Sequence, residues 1–184
     1  MEDLIEEGSI DLEDYDIIIS ATGNHNSNRW LNRYIHENKI YRPCFYLWNE
    51  PLDLGCHAAF ISLRYNGCYD CFFDRDSTTN ELYDRVSFSE PGQVITRNIR
   101  GCSNSFVPYS SNVSIKTVCL CIDLIDRYFT DRLNENILVS EKGDAYYFQK
   151  AGLKVSEVYS KQNSTIEYIS GKDFKKIDCS ICGD

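Results

Sequence analysis

Two short elements, Cys68-Tyr69-Asp70-Cys71 and Cys179-Ser180-Ile181-Cys182, carry the most specific chemistry in the chain. A Cys-x-x-Cys turn presents two thiolates on one side of a tight loop, and two such turns supply the four sulfurs of a tetrahedral zinc site with Zn–S bonds of about 2.3 Å. Gly67 and Gly183 flank the pairs, which predicts turns with unusual backbone angles. Between Cys71 and Cys179 lie 107 residues, far more than a self-contained zinc ribbon or finger spans, so a shared ion would staple the end of the chain onto the middle of the domain. A structural zinc of this kind contributes roughly 10 kcal/mol or more of folding free energy. Redox disulfides and unpaired buried thiols are the competing readings of the same four residues. A thioredoxin-like redox pair opens a helix, however, and neither Asp70 nor Gly183-Asp184 reads as a helix start. A RING-type reading lacks the second set of Cys and His ligands.

The remaining chemistry centres on Arg97-Asn98-Ile99-Arg100-Gly101-Cys102-Ser103-Asn104. Cys102 follows a glycine in a polar, turn-rich loop with Arg97 and Arg100 close in sequence, and positive neighbours favour the thiolate, which is the nucleophile. A loop cysteine with no task is the alternative. Cys44, Cys56, Cys119 and Cys121 are expected to be core-packing thiols, because they fall in apolar strands or on a helix. His25, His36 and His57 are scattered, and no Ser/His/Asp or Cys/His constellation follows from their spacing.

These residues have to be positioned by a chain of 184 residues, which is one domain or a large piece of one. A hydrophobic fraction of 42% with 13% aromatic residues is enough to bury a core. The balance of 19 Lys+Arg against 28 Asp+Glu gives a net charge of −9, and no basic patch stands out, which excludes a nucleic-acid binder. No apolar run approaches the roughly 20 residues of a membrane span, and the acidic start Met1-Glu2-Asp3 is unlike a signal peptide. The expected compartment is therefore cytoplasmic, where thiols stay reduced and paired cysteines bind metal. The sequons Asn112-Val113-Ser114 and Asn163-Ser164-Thr165 then carry no glycan.

The pattern of elements predicts an α/β domain. Residues 1–14 form an acidic, solvated lead-in, and 16–21 a β-branched strand buried on both faces. After the turn Thr22-Gly23-Asn24, Ser27 caps a helix with Trp30, Leu31, Tyr34 and Ile35 on one face. Strands over 44–48 and 56–63 follow, and then a long polar connection over 74–99. Val118, Cys121, Ile122, Ile125, Tyr128, Phe129 and Leu133 mark the inner face of the strongest helix, capped by Ser111 or Asn112. Short strands over 137–139, 145–148 and 165–169 complete a mixed sheet flanked by helices.

The order of these features resembles the second half of ThiF-type enzymes, the family of ubiquitin-activating enzymes and their sulfur-carrier relatives. In that family a strand ends in a Thr-Asp-Asn-like turn and leads into a helix bearing Arg and Asn; here the stretch is Thr22-Gly23-Asn24 followed by Asn28-Arg29-Trp30-Leu31-Asn32. A strand pair, Gly-Cys-x-x-Cys, a cysteine-bearing loop, a helix and a second Cys-x-x-Cys follow in the same order. The loop Gly101-Cys102 to Phe106-Val107-Pro108-Tyr109 looks like that of bacterial activating enzymes, including those of antiphage conjugation systems.

The resemblance implies a single partial domain over 1–184, the second half of a Rossmann-like fold with Cys68, Cys71, Cys179 and Cys182 on a structural zinc. It implies adenylation of the C-terminal tail of a ubiquitin-like protein with ATP and magnesium, followed by transfer to Cys102 as a thioester, with Arg100 stabilising the thiolate. Thr22 and Asn24 would stand on the nucleotide side, and a conjugating enzyme and a homodimer partner are further partners of the type. Two departures are visible. Gly23 occupies the place of a magnesium-associated aspartate, and no glycine-rich phosphate loop precedes Asp16. With that ATP-binding half absent, the chain alone is expected to be inactive with ATP. A non-catalytic zinc-stabilised binding module, or a degenerate family member, is the alternative function, and a redox protein a third.

Overall fold

The computed structural model describes residues 2–98 and 105–183. In chain order the elements are α1 (Glu2–Glu6), β1 (Ile18–Ser20), α2 (His25–Glu37), β2 (Cys44–Asn49), β3 (Gly55–Ile61), β4 (Phe73–Arg75), β5 (Leu82–Asp84), β6 (Arg97–Asn98), β7 (Ser105–Phe106), α3 (Ser111–Phe129), β8 (Ile137–Lys142), α4 (Tyr146–Lys150), α5 (Glu157–Lys161), β9 (Ile166–Ser170) and α6 (Gly171–Phe174). A five-stranded sheet has the order β1-β2-β3-β8-β9. β1 and β2 are parallel, with Ile18 opposite Cys44, as expected for strands joined by the crossover helix α2. The other neighbours are antiparallel. The fold is therefore α/β, a mixed sheet flanked by helices.

Alternation along β2 builds both layers. Cys44, Tyr46 and Trp48 point to one face, where they meet Leu31 and Ile35 of α2 and the first cysteine pair. Phe45 and Leu47 point to the other, against Val113, Leu120, Cys121 and Leu124 of α3. Covered on both faces, β3 is buried along its whole length.

Several expectations are corrected. The lead-in is partly core, since Ile5 and Leu12 are buried. β1 is an edge strand and not one buried on both faces: it pairs only with β2, and Ile19 is 51% exposed. Asn24, not Ser27, caps α2, its carboxamide oxygen accepting from the amides of Asn26 and Ser27. Residues 74–99 are not all connection, because β4 and β5 form a two-stranded ribbon there. α3 starts after Ser110 and buries Val113, Thr117, Leu120, Cys121 and Leu124, while Val118, Ile122 and Phe129 face outward and Leu133 lies beyond its end. Residues 146–150 are helix α4, not strand: only Phe148 is buried there, and Tyr146 and Tyr147 lie in solvent. Among the described residues no helix is long and apolar enough to cross a membrane.

Candidate functional site

The two cysteine pairs converge. The sulfurs of Cys68, Cys71, Cys179 and Cys182 all lie within 4.8 Å of one another. Individual Sγ–Sγ separations are 3.9 Å for Cys68–Cys71, 3.7 Å for Cys68–Cys179 and 3.4 Å for Cys71–Cys182. A sulfur tetrahedron around zinc has edges of about 3.8 Å, whereas a disulfide needs about 2.05 Å. The four residues could hold a metal ion, and the all-thiolate donor set is compatible with structural zinc. Hydrogen bonds from the other three thiols, Cys182 first, hold the Cys179 thiol well below its ordinary range, while the bond to Cys179 pushes the Cys68 thiol well above it. Four crowded sulfurs cannot all ionise without a cation among them.

Each pair is delivered by a built support. Cys68 follows Gly67, which takes φ +80 where a Cβ would meet the Phe174 ring at 2.5 Å, so only glycine fits. The fully buried Asn136 grips the approach: its Oδ1 accepts from the Ser62 amide at 2.7 Å and its Nδ2 donates to the Gly67 carbonyl at 2.7 Å. The residues between the cysteines are held by α2. Arg29 Nε donates to Asp70 Oδ1 at 2.9 Å, and Asn32 Nδ2 to Asp70 Oδ2 at 2.8 Å. The second pair arrives after β9, where Phe174 packs on Phe72 at 4.8 Å between ring centres and Lys176 pairs with Asp74 at 2.9 Å. Gly183 does not take the unusual backbone angle expected of it, but a Cβ there would meet the Cys179 carbonyl at 2.4 Å.

A cleft of about 890 Å³ opens beside this centre. Ala21, Thr22 and Gly23, which follow β1, and Asn49 and Glu50 at the end of β2 line it, so it lies outside the carboxyl ends of the parallel strand pair, where open α/β sheets bind ligands. His25, Trp48 and Asp84 form its floor together with Glu50. Glu50 is buried and fully engaged, accepting from the Phe88 amide at 2.8 Å and the Ser87 hydroxyl at 3.1 Å and lying 3.1 Å from His57 Nε2. Burial, and next the charge of Glu50, push the Asp84 carboxyl up to about 7. Burial holds His25 below its ordinary range, so its imidazole is neutral near pH 7.

Of the cysteines and the two nucleotide-side residues, Thr22 lines the cleft, while Asn24 spends its side chain capping α2. Cys102 and Arg100 lie outside the described residues; on either side of them in sequence, Thr96 and Val107 border the cleft. Cys44, Cys56 and Cys121 are buried thiols pushed up to about 12, 11 and 11 by burial, as suits packing residues. Cys119 departs from that expectation and is exposed. His57 is a satisfied core histidine between Glu50 and Ser140. The cleft floor of His25, Trp48, Glu50 and Asp84 went unread in the sequence; the only signal was the position of His25 and Glu50 just past parallel strands.

Comparison of the chain with family models, with curated proteins and with solved structures returns no match.

Proposed function

We propose that this chain is the zinc-bearing, transfer half of a ThiF-type enzyme that activates the C-terminus of a ubiquitin-like protein. One observation carries the reading: the family-like elements act as a single unit. The Arg29 and Asn32 of the helix that follows Thr22-Gly23-Asn24 clasp Asp70 inside the first cysteine pair, and the second pair closes on the first from 111 positions away. Zinc bound to Cys68, Cys71, Cys179 and Cys182 would be structural, fixing the tail of the chain. The cleft would receive the extended tail of the partner. The tail's carboxylate, adenylated by ATP and magnesium on an ATP-binding half, would present its carbonyl carbon to Cys102. The thiolate attacks, the C–S bond forms, the C–O bond to AMP breaks and AMP leaves, with Arg100 favouring the thiolate.

The test is a trap. A panel of ubiquitin-like proteins carrying a C-terminal vinyl sulfonamide is incubated with the zinc-loaded chain, and adducts are mapped by peptide mass spectrometry. The reading expects an adduct on Cys102 that Cys102→Ala abolishes without loss of zinc. An adduct on Cys119 alone, or none, would sink it.

A non-catalytic zinc-stabilised binding module is the second reading. It is favoured by a cleft that, among the described residues, contains no Lys or Arg to hold phosphates.

A further inference from the structure

The four-cysteine centre is unevenly protected. Cys68 and Cys71 are 0% and 1% exposed and Cys179 is 8% exposed, whereas Cys182, close to the end of the chain, is partly exposed. A small oxidant such as a peroxide therefore meets Cys182 first. Susceptibility to peroxide follows exposure and thiolate character. Positive charge stands beside the turn that Cys182 faces: Arg85 Nη1 donates to the Cys71 carbonyl at 3.1 Å, and Lys176 Nζ donates to the Phe73 carbonyl at 3.2 Å.

Geometry also selects the partners. Cys71 Sγ lies 3.4 Å from Cys182 Sγ and Cys68 Sγ lies 3.7 Å from Cys179 Sγ, both closer than the 3.9 Å between the two sulfurs of the first turn. A disulfide needs about 2.05 Å, so each pair across the centre has to close by less than ~2 Å. The first turn is braced against closing on itself. The Cys71 amide donates to the Cys68 carbonyl at 3.0 Å, the Tyr69 amide donates to Asn32 Oδ1 at 3.2 Å, and Arg29 and Asn32 hold Asp70. The tail has its own turn, closed by the Gly183 amide on the Cys179 carbonyl at 2.8 Å, and it leaves Ile177 91% exposed. The tail is thus the side that advances, and it does so as one piece.

We propose that the centre is a peroxide-sensitive switch in which the two pairs cross-link, Cys71 to Cys182 and then Cys68 to Cys179, releasing the metal while the tail stays stapled. The Cys182 thiolate attacks one peroxide oxygen, the O–O bond breaks, hydroxide leaves as water after protonation, and a sulfenic acid forms on Cys182. The Cys71 thiolate attacks that sulfur, the S–S bond forms, the S–O bond breaks and a second water leaves. Another peroxide oxidises Cys68 and Cys179 in the same way. Four thiolates lose four electrons, two peroxides are reduced to water, and no thiolate remains to hold a cation. Disulfides that join residues 111 positions apart then take over the staple. The switch goes beyond the transfer reading and does not depend on Cys102.

The test uses the zinc-loaded, reduced full chain carrying Cys102→Ser and Cys119→Ser, so that neither thiol competes for the oxidant. Hydrogen peroxide is added stepwise, a chromophoric chelator reads released zinc, and peptide mass spectrometry without reduction reads the links. The Cys71–Cys182 link should lead. Once about two equivalents of peroxide are consumed, zinc should be fully released and the Cys68–Cys179 link present. The oxidised chain should resist a protease that cuts the reduced, zinc-free chain near Ile177, and dithiothreitol with added zinc should restore the starting state. Links inside each turn, Cys68–Cys71 and Cys179–Cys182, would overturn the proposal, because they free the tail. Zinc retained and thiols unchanged at about tenfold molar excess of peroxide would overturn it too, as would a chain that binds no zinc.

Discussion

The Tyr69 hydroxyl lies 2.8 Å from Nδ1 of His25. Tyr69 sits between Cys68 and Cys71, and the same hydroxyl accepts from Asn28 Nδ2 at 3.0 Å. With Asn28 donating, the Tyr69 proton is available to Nδ1, which leaves the Nε2–H of a neutral His25 facing Asp84. One hydrogen-bond chain thus runs from inside a cysteine pair to the cleft floor. Tyr69→Phe would strand the amide of the fully buried Asn28. The expected cost is about 1–3 kcal/mol in chemical denaturation, with metal content unchanged; a loss of metal would mean that Tyr69 serves the cysteines and not the cleft.

Metal content tests the cysteine centre directly. Purified chain should contain about one zinc, read by elemental mass spectrometry, and Cys179→Ser with Cys182→Ser should remove it. The tail after β9 would then lose its anchor, and limited proteolysis should cut near Ile177, which is 91% exposed. A folded, reduced protein free of metal would return the four cysteines to the redox reading.

Asp70 positions the first pair without touching the metal. It is 7% exposed and held by Arg29 and Asn32. Asp70→Ala leaves both donors without an acceptor, so stability should fall by about 2–3 kcal/mol, and metal affinity by on the order of 10–100-fold. Competition with a chromophoric chelator reads the second effect; an unchanged affinity would make Asp70 a packing residue only.

Stability should fall as pH rises through neutrality because of Asp84. Its carboxyl stands at about 7 in the folded chain and at about 4 when unfolded. Between those values the folded chain holds a proton that the unfolded chain has released, so the contribution is full below about 4 and lost as pH rises through about 7. Asn mimics the neutral acid, so Asp84→Asn should gain on the wild type from about pH 4 to about pH 7, by up to about 1.4 kcal/mol per pH unit, and the gain should level off above that. Glu50 and His25 lie beside the group and remain in both proteins. A pH-independent difference in denaturation midpoints would refute the elevated value.

Thiol labelling separates the remaining cysteines. Cys119 is exposed, whereas burial raises Cys44, Cys56 and Cys121 to about 11–12. Iodoacetamide at pH 8 should modify Cys119 in the native protein and reach the other three only after unfolding. Native labelling of Cys121 would place the wrong face of α3 against the sheet.

The amino-acid sequence by itself determined the local devices. The two Cys-x-x-Cys pairs are local features of the chain, so the donor set was legible before any fold, and the apolar runs of β2 and β3 were legible as strands, whereas burial on both faces, expected of residues 16–21, belongs to β3. The Thr22-Gly23-Asn24 turn and its helix were equally visible, though the cap moved from Ser27 to Asn24. Tertiary structure decided what depends on neighbours. α3 carries apolar residues around most of its girth, so periodicity could not say whether Leu120 and Leu124 or Val118 and Ile122 would meet the sheet; packing against Phe45 and Phe60 chose the first pair. The aromatic run Tyr146-Tyr147-Phe148 became a helix with one buried ring because only Phe148 had a pocket to fill, beside Leu54 and Phe88. The cleft floor joins His25, Trp48 and Asp84 from three separate elements, and the partners that make Asp84 unusual act through space, where spacing along the chain carries no information.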